Sequence, residues 1–415
     1  MIRNSDNHRR RIKYVATMND DVLNEDSDDD YELQYVDIGN VYSSGSVQEP
    51  VTYQFKDAPG RARRRVRDGD IIISCVRTYL QAIAQIQNPP TNLVVSTGFA
   101  VVRPSEEILN GSFANYALRE PSFLAEIEKR SVGVSYPAIK ASDLANISIY
   151  LPPLPQQRAI ADYLDRETAR LDELVAAKER VITLLAEKRR ALISRAVTRG
   201  LDPKVPLRES GIQWLGRIPA HWKARRIARL FQERDQRGEP DLRLLEVSIN
   251  AGVITRQFSG ERIEATAADF NTYKVARQGD VVFNKMRMWQ GAVGVAPEDG
   301  LVSPDYVVAE PVGPLTSAYA NMLFQTAAFS AECARYSHGI VWDRLRLYWT
   351  GFRDIEVPLP PVQEQVELVE QIACETKRLD GLSKATERTV FLLRERRASL
   401  ISAAVTGQID TSVYI

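Results

Sequence analysis

Apolar residues recur along this chain at two spacings, and the spacings alternate in blocks. After "LPPLP" at residues 151–155, no Pro or Gly interrupts the chain until Gly200. Within that stretch Leu164, Leu171, Leu185 and Leu192 keep a seven-residue period, with Lys178 in the remaining slot. After "LPPVQ" at residues 359–363, Ile372, Leu379, Leu393 and Leu400 do the same with Thr386 in the matching slot, and Leu174 and Leu382 add a second row. Such a period predicts two long amphipathic helices with coiled-coil seams. About 44 residues at 1.5 Å each give a helix of roughly 65 Å, too long to cover with one small domain, so the two helices are expected to pair. An antiparallel pair is the simplest arrangement, with Lys178 and Thr386 as the polar contact that sets its register.

The two helical stretches are copies of one another. Sliding the sequence by 208 residues aligns 151–202 with 359–410 without a gap, and 24 of the 52 pairs are identical, including "LPP" at both starts, Gln157 with Gln365, and "LIS.AVT" near both ends. The blocks that precede them are related more loosely. "RDGDIIISCVR" at residues 67–77 matches "RQGDVVFNKMR" at 277–287, each a Gly-Asp turn feeding a strand, and "STGFAVVRP" at 96–104 resembles "SPDYVVAEP" at 303–311. The expected fold is therefore α+β. Two domains of mixed strands and helices, residues 1–150 and 203–357, are joined by the helices of 151–202 and 358–415 as an internal pseudo-two-fold repeat, with one globular domain at each end of the helix pair.

Composition narrows the class without choosing a partner. The chain has 415 residues, 44% of them hydrophobic, and 54 basic residues balance 54 acidic ones. Cys75, Cys333 and Cys374 form no CxxC pair, no apolar run approaches the roughly 20 residues needed to cross a bilayer, and a reducing, cytoplasmic setting is expected. "NEDSDDDYE" at residues 24–32 reads as a solvated loop.

The candidate chemistry lies in the loops. Arg77, Thr78, Tyr79 and Gln81 follow one Gly-Asp strand; Lys285, Arg287, Trp289 and Gln290 follow the other. A second cluster precedes each long helix: Ser135, Tyr136 and Lys140 in "SYPAIK", and Trp342, Arg344 and Arg346 in "VWDRLR". Arg grips guanine in a bidentate fork, Gln grips adenine, and Lys or Thr holds phosphates, so these sets suit direct readout of DNA. Catalytic motifs are missing. "NPPT" at residues 88–91 has Thr91 where an amino-methyltransferase stacks an aromatic ring on its target, no GxxxxGK[ST] loop occurs, and His8, His221 and His338 have no metal-ligand spacing.

The order of these parts resembles the specificity subunit of a type I restriction-modification system, the HsdS family: variable domain, "LPPLPQQRAIADYLD", heptad helix ending "KRRALISRAVTRGLDP", second domain opening "ESGIQWLGRIPAHWK", second helix. The resemblance runs through essentially the whole chain. It departs at one place, because "GIQWLGRIPAHW" introduces the second domain while the first begins directly at "NHRRRIKYV", the counterpart of "WKARRIARLF". It implies a non-catalytic DNA reader in which each variable domain is a target-recognition domain for one half of a split site. It also implies two methyltransferase subunits bringing AdoMet and two restriction subunits bringing ATP and Mg, with no cofactor or metal on this chain. Arg180, Glu187 and Arg189, with Arg388, Glu395 and Arg397, are the expected docking faces on the helices. A helix of this length limits the half-site separation to at most about two turns of B-DNA. The rival from another class is a coiled-coil adaptor whose end domains bind proteins, and insensitivity of binding to salt would mark it.

Overall fold

Each Gly-Asp turn launches a strand whose first three positions are all apolar because both of its faces are covered. In the strand Ile71–Ser74, Ile71 and Ile73 point into a cluster with Ile83, Val102, Phe113 and Phe123, while Ile72 points the other way, among Ala84, Val95 and Val101. The strand Val281–Asn284 divides in the same manner, Val281 and Phe283 toward Val293, Phe324 and Phe329, and Val282 toward Val302 and Val308. The two-residue period of a strand sends alternate side chains to opposite layers, helices on one side and further strands on the other.

The computed structural model describes residues 8–42, 45–249, 251–256, 270–339 and 345–409. The chain divides into two compact units, residues 1–178 with 388–415, and residues 179–387. In the first, the four strands Ala16–Met18, Phe99–Pro104, Ile71–Ser74 and Ile83–Gln85 lie side by side in that order, antiparallel throughout. In the second, Phe231–Glu233, Tyr306–Pro311, Val281–Asn284 and Val293–Val295 repeat the order and the senses. The short pairing before these sheets is repeated too. Arg9–Arg11 pairs antiparallel with Ser148–Tyr150, and Lys223–Arg226 pairs antiparallel with Glu356–Leu359, so "NHRRRIKYV" and "WKARRIARLF" occupy matching places. The expected α+β class and internal repeat are what the chain forms.

The long helices are Leu154–Arg199, 46 residues, and Val362–Val405, 44 residues. Each begins in one unit and ends in the other's residue set, and the ends are core residues. Ala404 and Val405 are buried with Ile160 and Leu164 in the first unit; Ala196 and Val197 are buried with Leu368 and Ile372 in the second. This is why "LIS.AVT" occurs twice. Within each unit the two helical segments run antiparallel, and one ion pair marks the register of each: Arg397 Nε to Asp172 at 2.9 Å, and Arg189 Nε to Asp380 at 3.3 Å. Asp172 and Asp380 are 208 residues apart, as are Arg189 and Arg397, so the duplication made the same ion pair twice.

The seam differs from the expected one in two respects. Leu164, Leu171, Ile372 and Leu379 are buried and Leu185, Leu192, Leu393 and Leu400 half-buried, but Lys178 is exposed, its long stem leaving the ammonium in water. Thr386 is half-buried and donates its hydroxyl to Leu382 O of its own helix (2.8 Å) rather than to a partner. The second row is not Leu174 and Leu382, which are 42% and 49% exposed. It runs through Thr168, Val175 and Ile182 and, 208 residues on, Thr376, Ser383 and Val390, which are buried or half-buried. Thr168 and Thr376 are admitted there because each hydroxyl bonds back to its own helix, to Leu164 O (2.6 Å) and Ile372 O (2.8 Å).

One buried amide ties each helix start to its domain. Gln157 Oε1 accepts the Asn110 N–H (2.8 Å), and its Nε2 donates to Ile108 O (2.9 Å) and to Pro152 O (2.7 Å) of "LPP". Gln365 does the same with the Thr316 N–H (2.8 Å), Pro314 O (3.0 Å) and Pro360 O (2.9 Å). Both glutamines are at most 1% exposed, so water has no access to replace them. Gln157→Ala strands three backbone groups, and at about 1–3 kcal/mol for each unsatisfied group we expect roughly 3 kcal/mol of destabilisation. Hydrogen–deuterium exchange should quicken around residues 108–113 and leave 314–319 unchanged, with Gln365→Ala giving the converse.

Candidate nucleic-acid interface

The two predicted clusters of the first unit meet. Ile139 N–H donates to Cys75 O (2.8 Å), Thr78 N–H to Pro137 O (3.3 Å), and Val76 is bridged to Ala138, so residues 75–81 and 131–140 form one double loop. Thr78 and Ser131 hydroxyls lie 3.0 Å apart. On this frame Arg77, Tyr79, Gln81, Ser135, Tyr136 and Lys140 are exposed, and the Arg77 guanidinium stands over the Tyr136 ring at 5.1 Å from its centroid. Arg77 and Gln81, which bracket a single turn over Thr78–Leu80, are both left-handed, with φ of 52° and 50°. Side chains other than Gly pay about 1–2 kcal/mol for that conformation, and the cross-loop hydrogen bonds hold them there.

In the second unit the corresponding backbone bond is Leu347 N–H to Lys285 O (2.9 Å), and Arg346 exchanges two backbone bonds with His338. Arg287, Gln290 and Arg346 are exposed and Trp289 is half-exposed. Lys285 is half-buried with its ammonium donating to Pro304 O (3.3 Å), and the Trp289 indole N–H donates to Met286 O (2.9 Å), so both polar tips are turned into the loop. The turn Met288–Gln290 is pinned by the fully buried Met288 and closed by Gly291 at φ 88°, where the first unit has no buried anchor and has Gln81. Trp342 and Arg344 lie outside the described residues.

At the end of each Gly-Asp strand opposite its loop, a carboxylate holds the Gly-Asp turn. Asp70, 1% exposed, accepts the Arg67 N–H (2.7 Å) and both Nε and Nη2 of Arg103 (2.9 and 2.8 Å), and Arg103 also pairs with Asp20. Asp280 accepts the Arg277 N–H (2.9 Å) and Arg234 Nε (2.8 Å), and Arg234 reaches on to Glu310 (2.9 Å). Arg103 and Glu310 occupy matching strand positions, so the cation and the outer anion have changed strands while the acid–base–acid order stays.

A family model described as the type I restriction modification DNA specificity domain matches residues 15–184. The type I restriction enzyme EcoKI specificity subunit of Escherichia coli strain K12 is 24% identical over 331 residues, 74% of this chain and 68% of that protein. Over residues 15–184 this chain is therefore similar to the DNA specificity domain of type I restriction-modification systems. The fold agrees. A chain from a structural study of assembly and conformational transition in a type I R-M system matches 97% of this one and 98% of its own length with a TM-score of 0.74 at 20% identity. The crystal structure of the HsdS subunit from Thermoanaerobacter tengcongensis matches with a TM-score of 0.57, again at 20% identity, over 97% of both chains.

Among the described residues no cluster of His, Cys, Asp and Glu could hold a metal ion, and no helix is long and apolar enough to cross a membrane. Ser131 escaped the sequence reading because a lone serine carries no signal until its partner is known. So did the clefts behind the loops. The first, about 570 Å³, is lined by Gln81, Arg119, Arg394 and Arg397; the second, about 1050 Å³, by Trp289, Gln290, Gln325 and Arg189. Arg189 and Arg397, on the expected docking faces, each pair with an aspartate of the facing helix segment.

The carboxylate at the second Gly-Asp turn gives a pH test. Burial raises the Asp280 carboxyl above its usual range, against the opposing pull of the Arg277 N–H and of Arg234. Its folded pKa exceeds its unfolded one, so its ionisation detracts from stability, and that cost appears as pH rises through the interval between the two values. Removing the cation widens the interval. Arg234→Met should therefore destabilise the second unit by about 3–5 kcal/mol at pH 7, and by progressively less as falling pH protonates the carboxyl, as followed by urea unfolding.

Proposed function

We propose that this chain is the non-catalytic DNA-reading component of a type I restriction-modification complex, each unit reading one half of a bipartite site through the double loop that follows its Gly-Asp strand. The observation that carries the reading is the pairing of a matched frame with unmatched loops. The strand order of the antiparallel four-stranded sheet, the Ile139–Cys75 and Leu347–Lys285 bonds and the glutamine ties are the same in both units. The exposed side chains are Arg77, Tyr79, Gln81 and Tyr136 in one and Arg287, Gln290 and Arg346 in the other. Different donors on one scaffold are what two different half-sites require. Lys140, Ser135 and Thr78 in the first loop, and Lys285 in the second, are assigned to phosphates or to loop support.

Adenine methylation and ATP-dependent cleavage are assigned to partner subunits, two methyltransferases with AdoMet and two restriction subunits with ATP and Mg. The helices are the proposed docking surface. Leu174, Leu184, Leu382 and Leu392 are all exposed and form two pairs related by the 208-residue repeat, flanked by Arg180, Glu187, Arg388 and Glu395. An apolar position kept outward in both copies favours a partner helix over solvent.

Expression with its methyltransferase in a host free of such systems should create a split adenine-methylated motif. Replacing residues 77–81 should erase one half of the motif and replacing 287–290 the other; a motif indifferent to both would exclude these loops as readers. DNA binding by the complex should weaken by about a thousandfold or more between roughly 50 and 200 mM salt, whereas a protein-binding adaptor would not respond.

A further inference from the structure

The first unit's loop divides its work between two side chains. Tyr136 is 64% exposed and lies beneath the Arg77 guanidinium. An arginine stacked on a ring has one face of its plane occupied, while its N–H donors, which lie in that plane, remain directed outward. No carboxylate among the described residues forms an ion pair with Arg77. Its backbone is held left-handed by bonds on both sides: Val76 bridged to Ala138, Thr78 N–H on Pro137 O, and the Thr78 and Ser131 hydroxyls in contact. The second unit has none of this strain at the matching place, since Arg287 has φ −128° and Gly291 stands where Gln81 is. Of the two matching loop arginines among the described residues, the unusual conformation thus belongs to Arg77, whose guanidinium stands over a ring.

We infer that Arg77 is the specificity-determining residue for a guanine in the first half-site and that Tyr136 is a positioning residue, a platform that presents the guanidinium edge-on and makes no base contact of its own. The inference rests on the reading of residues 75–81 as a DNA-contacting loop. An unstacked arginine at the surface samples many rotamers, and stacking leaves the planar fork oriented before DNA arrives, which is what a bidentate grip on the guanine O6 and N7 requires.

The test uses the full chain with its methyltransferase, reading methylated motifs across a host genome. Arg77→Ala should relax one G·C position of the first half-site, with discrimination against the wrong base falling about 10- to 100-fold, while the second half-site stays intact and reports a folded complex. Arg77→Gly, which suits the left-handed backbone, should relax the same position and separates lost contact from misfolding. Arg77→Lys should relax it as well, because an ammonium lacks the fork. Tyr136→Ala should relax that same position and no other, and Tyr136→Phe should keep the wild-type motif. Tyr136→Ala relaxing a different position, or Tyr136→Phe behaving like Tyr136→Ala, would overturn the platform role and give Tyr136 a contact through its ring or hydroxyl. An unaltered motif in Arg77→Ala would overturn the inference through its premise, the loop itself.

Discussion

A helix of more than 40 residues cannot bury its own apolar stripe, and everything else in this molecule follows from how that constraint is met. Each long helix is covered at its start by the domain that precedes it, with a glutamine fastening the junction. At its end it supplies Ala196 and Val197, or Ala404 and Val405, to a core assembled from other parts of the sequence. Remove either end and a core loses small residues that fill its interior, so the helices are structural members of both units and not linkers between finished domains.

The duplication shows which features the frame needs and which it tolerates losing. The glutamine clamps and the Asp–Arg seam pairs are retained as chemically identical copies. The charge triad at the Gly-Asp turns is retained only as an arrangement. Arg103 between Asp70 and Asp20 becomes Arg234 between Asp280 and Glu310, with the cation on the neighbouring strand. A buried aspartate needs a cation within reach and a second anion to balance it, and either strand can deliver them.

Most of the frame was legible in the sequence because it rests on periodicity and on prolines. "GDIIIS" and "GDVVFN" announce doubly buried strands, and the seven-residue period announces the helices. The second seam row was missed for a physical reason: Thr168, Thr376 and Ser383 are polar in composition, yet short hydroxyl side chains can turn back onto their own helix and pack. Leu174 and Leu382 misled in the opposite direction, apolar but outward. In the candidate interface the loops and their meeting partners could be named from residue type. The left-handed Arg77 and Gln81 could not, since only glycine advertises that conformation in a sequence. Lys285 and the Trp289 indole looked like free donors and are tied to backbone carbonyls instead.

The burial of residues 400–405 in the first unit bears on how the protein is made. Ile160 and Leu164 leave the ribosome more than two hundred residues before Leu400, which at about 5–20 residues per second is a delay on the order of 10–50 seconds. Through that interval the first domain has its sheets and short helices but an unfilled groove where Leu400, Ile401, Ala404 and Val405 will lie. The second unit has no such wait, because Ala196 and Val197 precede its strands. The domain synthesised first is therefore the one completed last, and a chaperone that shields apolar grooves on nascent chains would have its longest engagement there.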